Sequence, residues 1–191
     1  MEKIKPTVTV GITTCYGDPA ILETIRSLRS SKGLAGFRII IIADTVPMSD
    51  YIKKELLKYR AELIENSKPA GQCPKKKQII EMAKSDILIF TQDDVLFEST
   101  ALAAIVQKFV TDSDVKFISI RKQPMAPTNF FDDITMVGTR ISNRVSKIWN
   151  NGDNYLSSIG RCLALRTAWV KKFHIPDSIV SSDSYFYFEN K

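Results

Sequence analysis

A chain of 191 residues, 44% hydrophobic and 25% charged with 8 Gly and 8 Pro, can close one core with helices on both faces of a sheet; its balance excludes collagen-like, mucin-like and coiled-coil architectures. Three scattered cysteines, Cys15, Cys73 and Cys162, have no CxxC spacing, which excludes a disulfide scaffold or structural zinc site and leads us to expect a reducing, cytoplasmic setting. The formal charge of +6, from 27 Lys and Arg against 21 Asp and Glu, favours nucleotides or anionic lipid headgroups, whereas short basic groups without aromatic interleaving argue against nucleic acid.

The first apolar run, Val8 to Ile12, is too short for a signal segment or a membrane span. Thr7 to Thr13 reads as a strand covered on both faces, since its β-branched residues run without polar alternation. Asp18 is placed to cap a helix opening at Pro19, with Ile21, Leu22, Ile25 and Leu28 as its apolar stripe. Arg38 to Ala43 is a second buried strand ending at Asp44. Ser49 or Asp50 starts a helix with Ile52, Leu56 and Tyr59 on one side, and Ala61 to Ile64 is a short strand.

Pro74 fits the opening of the next helix, which carries Ile79, Ile80 and Ala83. Asp86 to Phe90 is a strand that ends at Thr91-Gln92-Asp93-Asp94, followed by a helix with Ser99 as its natural cap and then a strand over Val115 to Ile120. This alternation predicts right-handed crossovers and a mostly parallel α/β sheet with helices on both faces. Beyond Arg121 the rhythm breaks: Ile134 to Val137 and Ile159 to Leu165 read as strands, and Arg140 to Tyr155 as a long loop or a weak helix. With no internal repeat, residues 1–191 are expected to form one domain, a nucleotide-binding part to about 120 and an extension that completes the site.

In an open parallel sheet the ligand crevice lies at the carboxyl ends of the strands. Thr13 to Asp18, Asp44-Thr45, Lys68 to Lys77 and Gln92 to Asp94 all fall there. Asp93-Asp94 is a plausible oxygen-donor site for Mg2+ or Mn2+, or else a turn. Asp44 can accept hydrogen bonds from a base or ribose, or form an Asx turn before Pro47. Lys75, Lys76 and Lys77 could meet a diphosphate, although a lysine run commonly lies on a solvated helix face, and at most one of the three need point inward. Asp183, before the aromatic run Tyr185 to Phe188, is either a helix cap or a second carboxylate suited to proton abstraction. The sequence has no GxGxxG, no GxxxxGK[ST] and no GxSxG, and only one histidine, His174; the usual signals for nicotinamide binding, ATP hydrolysis, a serine nucleophile and a histidine zinc centre are therefore missing.

Taken in series, these segments resemble the inverting family-two glycosyltransferases of the GT-A fold. Thr7 to Tyr16 is similar to the first strand and donor loop, and Ile41-Ile42-Ala43-Asp44 to the strand whose terminal acid holds the base. Gly71 to Ala83 resembles the glycine loop and basic helix near the donor, with Gln78 in place of an Asn. Ile87 to Val95 resembles the strand carrying the DxD motif; Gln92 replaces its first acid, Asp94 matches the metal ligand and Asp93 takes the variable place near ribose or sugar. Ser182-Asp183 is similar to the Glu-Asp pair at the start of an acceptor-side helix, its Glu replaced, and Asp183 matches the general base.

The resemblance implies a nucleoside-diphosphate sugar donor, UDP by family frequency, with Thr13, Asp44, Lys75 and Asp93 around it, Mg2+ or Mn2+ at Asp94 and a hydroxyl-bearing glycan, lipid-linked or small-molecule acceptor. The chain ends at Lys191 without the tryptophan-containing motif of processive relatives, which implies addition of a single sugar. The substitutions Gln92 and Ser182 keep a second expectation open, a noncatalytic sugar-nucleotide or polyanion-binding domain of the same fold. Peripheral contact with the inner face of a membrane is compatible with the lysine surplus, but no clear amphipathic membrane helix is legible.

Overall fold

The computed structural model of the chain describes residues 6–121, 123–158, 161–177, 179 and 181–191. Strand β1 (Val8–Thr14) is buried at every position. It lies between β2 (Arg38–Ala43) and β4 (Ile87–Gln92), parallel to both, which is why these strands carry near-continuous apolar runs. Strand β3 (Ala61–Glu65) adds in parallel beyond β2. On the other side β6 (Cys162–Arg166) runs antiparallel to β4, and β5 (Phe117–Ser119) antiparallel to β6, giving the order β3-β2-β1-β4-β6-β5. The expected mostly parallel, helix-covered sheet is therefore present, with its antiparallel strand inserted next to the centre.

Helices α1 (Ala20–Arg29), α2 (Asp50–Lys58) and α4 (Ala101–Thr111) cover one face, where Ile21, Ile25, Leu56 and Leu102 meet Val10, Ile12, Ile39 and Ile41. Helices α3 (Gln72–Met82), α6 (Thr167–Val170) and α7 (Ser182–Glu189) cover the other, where Ile79, Ile80, Val170 and Phe186 meet Ile40, Ile42, Leu88 and Phe90. Gly11 lets α3 approach the sheet: a Cβ there would lie 2.5 Å from Ile79 Cγ2, closer than packed carbons allow.

The local signals hold at α1 and α2. The Asp18 carboxylate accepts from the Ala20 amide at 2.8 Å, and Ser49 caps α2 by accepting from Ile52. Ser99 does not cap α4, which follows Thr100 with no side-chain cap; instead the Ser99 carbonyl accepts from the Lys32 amide at 2.6 Å.

The larger correction concerns Ile134 to Val137, which is not a strand but the second and third turns of α5 (Phe130–Ile148), capped by Asn129 accepting from the Asp132 amide. Read over a longer window, the apolar residues recur at three and four, the helical period, and a four-residue run is too short to show it. The tract expected to be a loop or weak helix from Arg140 thus continues this helix, then passes through 3-10 turns at Trp149–Gly152 and Tyr155–Ser157. The strand expected over Ile159 to Leu165 is β6; Ile159 and Gly160 lie outside the described residues. Among the described residues no helix is long and apolar enough to cross a membrane.

Candidate functional site

The chain leaves β2 at Asp44, turns through Thr45 in the left-handed region (φ 72°), and returns along β3 to the start of α3. Gly71 precedes that helix with φ 83°, a conformation that suits glycine. Its amide and that of Ala70 donate to Asp44 Oδ2 at 3.3 and 2.9 Å, while Lys75 Nζ donates to Asp44 Oδ1 at 2.7 Å and to the Thr14 carbonyl at 2.8 Å. Burial pushes the Asp44 carboxyl up, but the hydrogen bond and charge of Lys75 and the two backbone amides outweigh it and hold the group below its usual range. Asp44 is therefore not the acid of an Asx turn; it ties β1, β2 and the amino end of α3 together, where a carboxylate is favoured by the exposed helix amides.

The next lysine serves a different acid. Lys76 is 2% exposed, and its ammonium donates to Ser182 Oγ at 2.8 Å and Asp183 Oδ1 at 2.6 Å, lying 5.7 Å from the centre of the Phe90 ring. Ser181 caps α7, which places Asp183 in the first turn of that helix. Ser158 Oγ donates to the Asp183 carbonyl at 2.7 Å. All these contacts engage Oδ1 or the backbone; among the described residues no protein group bonds Asp183 Oδ2.

At the end of β4, the Thr14 hydroxyl donates to Asp93 Oδ2, and the Asp93 carbonyl accepts from Thr24 Oγ1 at 2.8 Å. Asp94 is half-exposed and pairs through Oδ2 with Arg161 Nη1 at 2.5 Å. No cluster of three or more acid, histidine or cysteine ligands occurs among the described residues. One or two carboxylates completed by ligand phosphates is nonetheless the set Mg2+ commonly uses, and the exposed Asp94 fits that role.

Asp44, Lys75, Thr14 and Asp93 thus form one continuous hydrogen-bonded chain across the ends of β2, β1 and β4, and Lys76 joins α3 to Asp183. Thr13 is buried within β1 opposite Ile42 and Gln92; its neighbour Thr14 makes the polar contacts. The expectation of a largely solvated lysine run is overturned, because Lys75 and Lys76 are both buried, and only Lys77 reaches an exposed acid, Asp177. Thr14 and Lys76 fall in segments expected at the crevice; what the sequence did not disclose is their pairing, Thr14 with Asp93, Lys76 with Asp183 and Arg161 with Asp94, since each joins residues far apart in the chain.

Next to Asp183, a cavity of about 510 Å3 opens between β5, α5 and α7, with Ser119, Asn154, Ser158 and Tyr187 in its wall. None of Asp44, Asp93, Asp94 and Asp183 lines it.

The six-stranded, mostly parallel α/β sheet with acids at its strand ends belongs to the open-sheet folds that take ligands at the carboxyl ends of their strands. The sequence matches the model of "Glycosyl transferase family 2" over residues 9–172, and the chain belongs to that family. No curated protein sequence matches it. Among solved structures it is similar to the mannosyltransferase PcManGT from Pyrobaculum calidifontis in complex with GDP-Man and Mn2+, with TM-score 0.67 and 16% identity over 96% of this chain and 51% of that one. It is similar to S. aureus TarS with TM-score 0.68 and 15% identity over 96% of this chain and 33% of that one. The M. tuberculosis glucosyl-3-phosphoglycerate synthase in complex with Mg2+ and UDP gives TM-score 0.58 and 13% identity over 88% of this chain and 59% of that one. The fold is GT-A, and the chain spans about half the length of the first of these, a third of the second and three-fifths of the third.

Proposed function

We propose that the chain transfers a sugar from a nucleoside-diphosphate sugar, UDP-linked in the first instance, to an acceptor hydroxyl with inversion at the anomeric carbon. The observation that carries this reading is Asp183: held at Oδ1 by Lys76 and Ser182 at the amino end of α7, it has an Oδ2 that no protein group among the described residues engages. The acceptor oxygen forms its bond to the anomeric carbon as Asp183 takes the hydroxyl proton, and the bond to the diphosphate breaks with its electron pair leaving on phosphate oxygen. Asp44, Lys75 and Thr13 frame the nucleotide end of the crevice and Asp93 its ribose or sugar. Asp94 would hold Mg2+ or Mn2+, which supplies charge stabilisation for the departing diphosphate.

The relatives solved with GDP-Man and Mn2+ or with UDP and Mg2+ support a donor of this class. A binding-only reading is favoured by two features, Gln92 where an acid is usual and Arg161 over Asp94. A panel of UDP-, GDP- and dTDP-sugars with Mg2+ or Mn2+ and hydroxyl-bearing glycans or lipid-linked alcohols separates the two. Acceptor-dependent release of nucleoside diphosphate, lowered about 10²- to 10⁴-fold by Asp183→Asn, is the expected result. Donor binding by calorimetry with no release, or release unaffected by Asp183→Asn, overturns it.

A further inference from the structure

Helix α5 is amphipathic in the reverse of the usual sense. The residues it buries are Asn143 and Ser146, and the Ser146 carbonyl accepts from Asn154 Nδ2 at 2.8 Å. Its outer stripe is apolar: Phe130, Ile134, Val137, Ile141, Val145 and Ile148 are 71, 54, 51, 59, 46 and 67% exposed. Spaced at three and four, they form a continuous band about 27 Å long on a helix rising 1.5 Å per residue. At its carboxyl end the band runs into exposed Trp149, Tyr155 and Phe188, whose rings meet in series, Trp149 edge-on to Tyr155 at 5.5 Å and Tyr155 stacked with Phe188 at 6.2 Å.

A contiguous apolar band of this size is costly to leave in water and marks a contact surface. One edge of it is basic. Arg140, Arg144 and Lys147, all exposed, follow one another at four and three residues and flank Ile141, Val145 and Ile148. The acids of the helix are confined to its first turn, where Asp132 is occupied by Thr128 and Asn129. The helix therefore presents an apolar keel bordered by cations and tipped with aromatic rings, while its polar side faces the protein. That is the profile of a helix lying in a bilayer interface, where acyl chains meet anionic headgroups.

We propose that α5 docks the chain on the surface of an anionic phospholipid bilayer, its apolar stripe seated at the acyl boundary and Arg140, Arg144 and Lys147 against lipid phosphates. The net charge of +6 reinforces the attraction, and α5 contributes none of the lysines or acids of the crevice, so the docking stands apart from the sugar-transfer reading.

Flotation of the full chain with vesicles of phosphatidylcholine alone, or mixed with phosphatidylglycerol, tests it. Binding to the mixed vesicles that weakens with added salt is expected. Ile141→Glu, at an exposed position, should lower it at least about tenfold, and Arg140→Gln and Arg144→Gln about fivefold each, with unchanged circular dichroism and thermal melt. No flotation with the mixed vesicles overturns the proposal, as does flotation indifferent to Ile141→Glu. A dimer in solution that Ile141→Glu dissociates, without vesicle binding, would assign the face to a second copy instead.

Discussion

The acid sites on the two sides of α3 use consecutive lysines for different ends. At Asp44 both carboxylate oxygens are taken, Oδ1 by Lys75 and the Thr45 hydroxyl and Oδ2 by the Ala70 and Gly71 amides, and the side chains of the ion pair are 5% and 2% exposed. At Asp183 one oxygen is held by an equally buried lysine, while the acid's own side chain is 14% exposed. A carboxylate with every lone-pair direction filled is a structural tie; one anchored on a single oxygen is oriented and still able to take a proton.

If that distinction is right, the two pairs respond unequally to losing their lysine. Lys75→Met leaves Asp44 buried with two amides and the Thr45 hydroxyl as donors but no counter-charge, and is expected to cost about 3–5 kcal/mol in denaturant melts, the range for one partner lost from a buried pair. Lys76→Met frees an acid that water can reach, and about 1–3 kcal/mol is expected. Transfer should also fall in Lys76→Met, by less than in Asp183→Asn, since the base remains but is no longer oriented. Equal stability losses in the two variants would erase the difference between the sites.

Acid titration sharpens the same contrast with a smaller effect. The Asp44 carboxyl is held below its reference of 3.8, so in the window between the folded and unfolded values the unfolded chain binds the proton more readily. Its contribution is thus complete above the unfolded value, near 4, and is lost as pH falls through the folded one. Melts of the wild type and of Asp44→Asn should diverge most at neutral pH and converge toward strong acid.

The sheet was legible because Val8–Thr14, Arg38–Ala43 and Ile87–Gln92 are apolar runs bounded by turn residues, and burial on both faces demands such runs. The acids at their ends were legible for the same reason: position at a strand terminus fixes where a side chain lies. Lys75 and Lys76 were legible as site candidates but not as buried ion pairs, because their partners lie 31 and 107 residues away and a buried lysine looks the same in sequence as a solvated one. Adjacent helical residues are separated by about 100°, so a helix wheel predicts one inward lysine; two fit because α3 is wedged between the sheet ends on one side and α7 on the other. The reading of α5 failed for the opposite reason: its apolar band faces outward, where no core-facing rule would place it.

The smallest effect belongs to the third acid, and it tests whether exposure alone separates a tie from a usable group. Arg161 and Asp94 are paired with side chains 43 and 47% exposed, so solvent screens the attraction and Arg161→Gln should shift stability by no more than about 1 kcal/mol. A guanidinium on Asp94 competes with any divalent cation for the same oxygen. Removing it is therefore expected to raise Mn2+ affinity in the presence of nucleoside diphosphate, read by calorimetry, while the melt barely moves. A large loss of stability would make this pair a second structural tie like Lys75–Asp44. An unchanged melt with weaker Mn2+ binding would mean that Arg161 orients Asp94 toward the cation and does not compete with it.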